Sequence, residues 1–121
     1  MGDSDKMKRD PLLEEYARAM LSCVGLQGAS IQVRWNPRLR TASGQAIWWG
    51  RHKKIDLNPK LTREPAEIQR TLLHELAHIV VALRDPKSRT KEAPRHGKPW
   101  RKACADLGIP RETEHHTVKL A

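Results

Sequence analysis

Phenylalanine is absent from this chain, tyrosine occurs once, and the only cysteines are Cys23 and Cys104. Two cysteines so far apart, in no C-x-x-C pair, exclude a disulfide framework and a paired-cysteine zinc ribbon. They fit a reducing compartment. Long apolar runs are missing as well: the stretch from Ala19 to Leu26 is short and already amphipathic, so it excludes a membrane span. The opening Met1-Gly2-Asp3-Ser4-Asp5-Lys6 is acidic and polar, unlike an export signal. A cytoplasmic or nuclear, nucleoid-associated location is therefore expected, not a secreted or membrane-bound one. Acid is scarce too. Against 23 Lys and Arg stand 14 Asp and Glu, leaving a net charge of +9. No repeat or low-complexity block appears, and 121 residues suit one core.

What is present is an ordered run of short elements. From Pro11 to Val24, apolar residues at Leu12, Leu13, Tyr16, Ala17, Met20, Leu21 and Val24 predict an amphipathic helix ended by Gly25 or Gly28. Ile31 to Trp35, Ala46 to Trp49 and Lys54 to Leu57 alternate as strands, with Arg51-His52-Lys53 as the turn between the last two. In Trp48-Trp49 one indole is expected in the core and the other on the outer face, where it packs on an edge or stacks on an unpaired base. Pro65 to Arg84 is a long helix, opened by Pro65 with Glu64 and Glu67 and stopped by Asp85-Pro86. A last helical pattern follows Arg95-His96-Gly97-Lys98-Pro99-Trp100 and runs to Leu107, before Gly108. The expected fold is α+β: a small zincin-like domain with an N-terminal helix, a three-stranded antiparallel sheet, a helix carrying H-E-x-x-H and a C-terminal helix. Residues 1–10 are assigned to a flexible tail, 11–109 to the domain and 110–121 to an extension.

The chemistry sits in His74-Glu75-Leu76-Ala77-His78. On a helix, positions i and i+4 lie about 40° apart in azimuth and roughly 6 Å apart along the axis, so both imidazoles reach one ion. Glu75 is offset by about 100°, poorly placed as a ligand but able to touch a water beside the metal. The plainer alternative is a pair of core histidines satisfied by carbonyls. Burying two His and a Glu on a helix this apolar would then cost several kcal/mol, whereas Zn²⁺ satisfies two of the three at once. A third ligand is required. Val81 and Arg84 stand where the long zincin signature has Gly and His, which excludes that class. Asp85, Glu92, His96, His115 and His116 remain. His96 is favoured because it opens a packed helix, with Glu92 the next choice.

Leu72-Leu73-His74-Glu75-Leu76-Ala77-His78, followed after a polar loop by His96-Gly97-x-x-Trp100, resembles the SprT-like family, which includes the Spartan proteases acting on DNA-crosslinked proteins. Arg40-Thr41-Ala42-Ser43-Gly44, a Trp-bearing strand and Ile55-Asp56-Leu57-Asn58-Pro59 resemble the family's approach to that helix, so the similarity covers about residues 10 to 108. The resemblance implies that His74, His78 and His96 bind zinc and that Glu75 is catalytic. Trp100 stands where the family commonly has Phe or another aromatic. The family's C-terminal zinc ribbon has no counterpart, which leaves a metalloprotease core.

Basic clusters at Arg34 to Arg40, Arg51 to Lys54 and Arg84 to Arg101 suit a phosphate backbone, or simply a solvated surface. Three functions are consistent with these residues. The first is a monomeric zinc endopeptidase whose partners are a protein substrate and DNA, cutting DNA-associated or DNA-crosslinked proteins. The second is a non-catalytic DNA-binding module with structural zinc. The third is a regulatory peptidase with one protein target and no DNA dependence.

Overall fold

Asp10-Pro11 starts the first helix by ordinary capping chemistry: the Asp10 carboxylate accepts the Leu13 N–H at 3.1 Å, and Pro11 gives up an N–H the first turn would not use. A computed structural model describes residues 7–49, 52–85 and 97–109. Their elements in chain order are β1 (Lys8–Arg9), α1 (Pro11–Cys23), β2 (Gln32–Trp35), β3 (Gly44–Trp49), β4 (His52–Leu57), α2 (Pro65–Arg84) and α3 (Lys98–Asp106). No helix among the described residues is long and apolar enough to cross a membrane.

The fold is α+β, but the expected three-stranded antiparallel sheet is corrected. Among the described residues the sheet is four-stranded and mixed, in the order β1-β2-β4-β3. After β2 the chain passes to the far edge to make β3, then returns as β4 between the two. β4 therefore pairs antiparallel with β3 and parallel with β2. The fourth strand comes from Lys8–Arg9, within the segment assigned to the tail, and pairs antiparallel with β2. His52 and Lys53, expected in a turn, belong to β4 and pair with Trp49 and Trp48.

Register divides the sheet into two faces. Val33, Ile55 and Ala46 are partners and turn toward the helices. Arg34, Asp56 and Gln45, one position along, turn the other way. The core lies between the first face and α1, α2 and α3, with Leu72, Leu76, Ile79 and Val80 of α2 fully buried among Ala17, Leu21, Val33, Ile55 and Leu57. Each such Leu or Ile contributes on the order of 1.5–3 kcal/mol, which offsets the cost of polar groups buried in the same helix. Trp48 packs against this core while Trp49 is exposed, as strand alternation requires.

A buried carboxylate fastens the first elements together. Glu14 accepts two hydrogen bonds from the Arg9 guanidinium, both at 2.8 Å, and one from the Val33 N–H at 3.1 Å. The hydrogen bonds from Arg9 hold its carboxyl below the ordinary glutamate range, against the opposing effect of burial. β1, α1 and β2 thus meet at one side chain.

Candidate metal centre

α2 spans the stretch that the sequence pattern outlines. Glu67 accepts the N–H groups of Arg63 and Glu64, each at 3.2 Å, so the entry turn is satisfied by a side chain of its own first turn. At the other end the Asp85 N–H closes on the Val81 carbonyl at 3.0 Å. His74, Glu75 and His78 fall on the middle turns, where Thr71 through Ala77 are all buried.

Burial grades across the three residues. Glu75 is fully buried, His74 is 1% exposed and His78 is only half-buried, so the pair of imidazoles opens to solvent on the His78 side. Their ring centroids stand 5.5 Å apart at 69°. Two imidazoles bound at about 2.1 Å to one tetrahedral ion would have centroids roughly 5.2 Å apart. The observed separation fits shared ligation. His74 Nε2 also lies 4.0 Å from Glu75 Oε2: the Glu side chain is long enough to return from its offset azimuth to the neighbourhood of the His74 ring. Two imidazole donors and a carboxylate beside them are a donor set that suits zinc with a proton acceptor at hand.

Trp100 of α3 holds the imidazoles from behind. It is 1% exposed, its ring meets His74 edge-on at 4.8 Å and 62°, and it lies 5.7 Å from His78 at 32°. Its Nε1–H donates to the His74 carbonyl at 3.3 Å. One indole thus contacts both rings and fixes the backbone of one. The spacing of Trp100 to the histidines, 26 and 22 residues on, gives no local signal of this.

Glu75 is fitted closely from the sheet side. A Cβ on Gly44 would stand 2.8 Å from Thr71 Cγ2, 3.0 Å from the Asp56 carbonyl oxygen and 3.3 Å from Glu75 Cγ. The start of β3 therefore approaches α2 within a distance only glycine permits. The loop before it is fastened: the Asn58 N–H donates to the Ser43 carbonyl at 2.8 Å, and Asn58 Nδ2 donates to the Ala42 and Leu39 carbonyls at 3.0 and 3.2 Å. Thr62 Oγ1 donates to the Ser43 carbonyl as well, at 3.2 Å. Because the Asp56 oxygen is backbone and cannot yield, Gly44→Ala is expected to lower the free energy of unfolding by about 1–3 kcal/mol in urea titration. An unchanged midpoint would show that the approach has slack.

His74, Glu75 and His78 are thus brought together. His96, Glu92, His115 and His116 lie outside the described residues. Asp85 ends α2 on the surface, about 10 Å along the axis from His78, too far to join the same ion. No group of three or more His, Cys, Asp or Glu able to hold a metal occurs among the described residues.

Comparison with known proteins adds one finding. The model of the SprT-like family matches residues 11–119. No curated protein and no solved structure matches the chain.

Proposed function

The chain belongs to the SprT-like family, whose character is that of a metal-dependent metalloprotease, and from that premise we propose that it is a zinc endopeptidase acting on DNA-associated or DNA-crosslinked proteins. The observation that carries the reading is the buried Glu75 carboxylate 4.0 Å from an imidazole whose neighbour, one turn on, stands 5.5 Å away at the solvent side.

His74 and His78, with His96 as third ligand, would hold Zn²⁺ through neutral imidazoles. Bound zinc supplies Lewis acidity, lowering the pKa of a water toward about 7 and polarising the scissile carbonyl. Glu75 takes the proton of the attacking water at its carboxylate and later gives it to the leaving amine. Trp100 limits the motion of both imidazoles. Among the described residues β3 is one of the two edge strands of the sheet, and it starts against the stem of Glu75. A substrate backbone laid along that edge as an added strand would carry its peptide bond toward the carboxylate, with recognition by main-chain hydrogen bonds more than by sequence. The net charge of +9 supports the nucleic-acid part of the reading.

His96 enters because it directly precedes Gly97, the N-cap of the helix whose Trp100 lies on both imidazoles. His96→Ala is expected to weaken zinc binding by more than the 10–100-fold typical of an outer-shell partner, and Glu92→Ala to leave it unchanged. Competition titration against a chromophoric chelator measures both. The reverse order would transfer the third position to Glu92; absence of zinc binding by the native chain would overturn the proposal.

A further inference from the structure

Beyond the metal centre, the sheet face turned away from the helices carries a feature that the hydrolytic reading does not use. Trp49 ends β3 and is 51% exposed. Its register partner His52 lies against it, ring centroids 4.9 Å apart and tilted by 32°. Lys54 Nζ stands 5.1 Å from the Trp49 ring centroid. Lys54 pairs with Ile47, two residues before Trp49 and hence on the same face.

The charge of this face is one-sided. Among the residues of β2, β3 and β4 the only carboxylate is Asp56, and it is already occupied by Arg34, Asn36 and Gln45. A phosphate approaching Lys54 would meet no free negative charge on these strands. A half-exposed indole with an ammonium over its ring can receive an unpaired base on the part of the ring left open and the base's phosphate on the cation. A duplex offers no such face, because its bases are already stacked on one another.

From this geometry we infer that Trp49, His52 and Lys54 form a binding platform for single-stranded nucleic acid on the outer sheet face. The inference rests on the nucleic-acid part of the function proposed above and is independent of the hydrolytic part. The platform lies at the end of β3 opposite Gly44, so a strand bound there and a peptide aligned on the edge of β3 would share one strand of the enzyme. DNA would then be held about 17 Å along β3 from Gly44, on the sheet face turned away from the metal centre.

Fluorescence anisotropy of the intact chain with a labelled oligothymidine of about twelve nucleotides, and with a duplex of the same length, tests the inference without metal or turnover. Trp49→Ala is expected to weaken single-strand binding by about 5–150-fold, the range for one lost stack. Trp49→Phe, which keeps a stacking ring, should stay within about threefold of the native chain. Lys54→Ala should reduce the salt slope by about 0.7, the value for one single-strand phosphate contact. Single-strand binding by Trp49→Ala equal to that of the native chain would overturn the platform while leaving DNA binding elsewhere intact. So would a natively folded Trp49→Phe as weak as the alanine variant. No binding by the native chain even at low salt would remove both the platform and the DNA part of the proposed function, with hydrolysis unaffected.

Discussion

Glu75→Gln is expected to lower the rate of peptide hydrolysis by about 10²–10⁴-fold while leaving bound zinc at the native stoichiometry. The substitution keeps the volume of a side chain that is fully buried and whose Cγ would be 3.3 Å from a Cβ at Gly44, so the fit against β3 is preserved. It removes only the capacity to take a proton. The imidazoles of His74 and His78 remain in place on Trp100, and the ligation proposed for them would not require the carboxylate. Elemental analysis, with cleavage of a DNA-bound protein or of the chain itself, measures the two quantities separately. Undiminished proteolysis with full zinc would remove Glu75 from the chemistry. Full proteolysis by both Glu75→Gln and a zinc-depleted native chain would remove the metalloprotease reading altogether.

Much of the local structure was legible because local chemistry decides it. The predicted helix from Pro65 to Arg84 has the observed limits, since Pro65, Glu67 and the Asp85-Pro86 stop act within a few residues. The Trp48-Trp49 alternation held for the same reason: it depends only on the pleat. What the pattern hid is long-range. No period of two residues announces β1, and no local rule says that β4 inserts between β2 and β3. His52 and Lys53 looked like turn residues because they are charged, yet their place is set by pairing with the two tryptophans.

The same division holds at the site. The i, i+4 spacing of His74 and His78 and the intervening Glu75 were visible, because a helix converts spacing into a face. The indole behind both rings was not, since Trp100 reaches them only through the packing of α3 on α2. Nor was the need for glycine at position 44, which follows from three atoms on separate elements: the Thr71 methyl, the Asp56 carbonyl and the Glu75 stem. Asp56 and Asn58 stood out only as part of a familiar-looking run. In the fold Asn58 fastens the loop to Ser43, and Asp56 fastens the strands.

Asp56→Ala is expected to be the most damaging substitution outside the candidate metal centre, at about 3–5 kcal/mol of stability. Asp56 is fully buried and accepts four hydrogen bonds: Arg34 Nε at 2.8 Å, and Arg34 Nη2, Asn36 Nδ2 and Gln45 Nε2 at 3.0 Å each. These donors come from β2, from the residue that follows it and from β3, so one carboxylate ties both neighbours of β4 across the outer face. Truncation would leave the Arg34 guanidinium, on a side chain only 17% exposed, without its counter-charge, and two amides without an acceptor. Against a typical total of about 5–15 kcal/mol, a loss of this size approaches unfolding. The carbonyl of the same residue is one of the atoms that confine Gly44, so loosening β4 also loosens the wall behind Glu75. Urea titration would show the effect as a lower midpoint with an unchanged slope. Adding Arg34→Met should recover part of the loss, because the penalty lies in the stranded charge more than in the missing bonds. A loss below about 1 kcal/mol for Asp56→Ala, or no recovery in the double variant, would mean that the sheet is held by its ladder and core alone and that this ion pair is incidental to it.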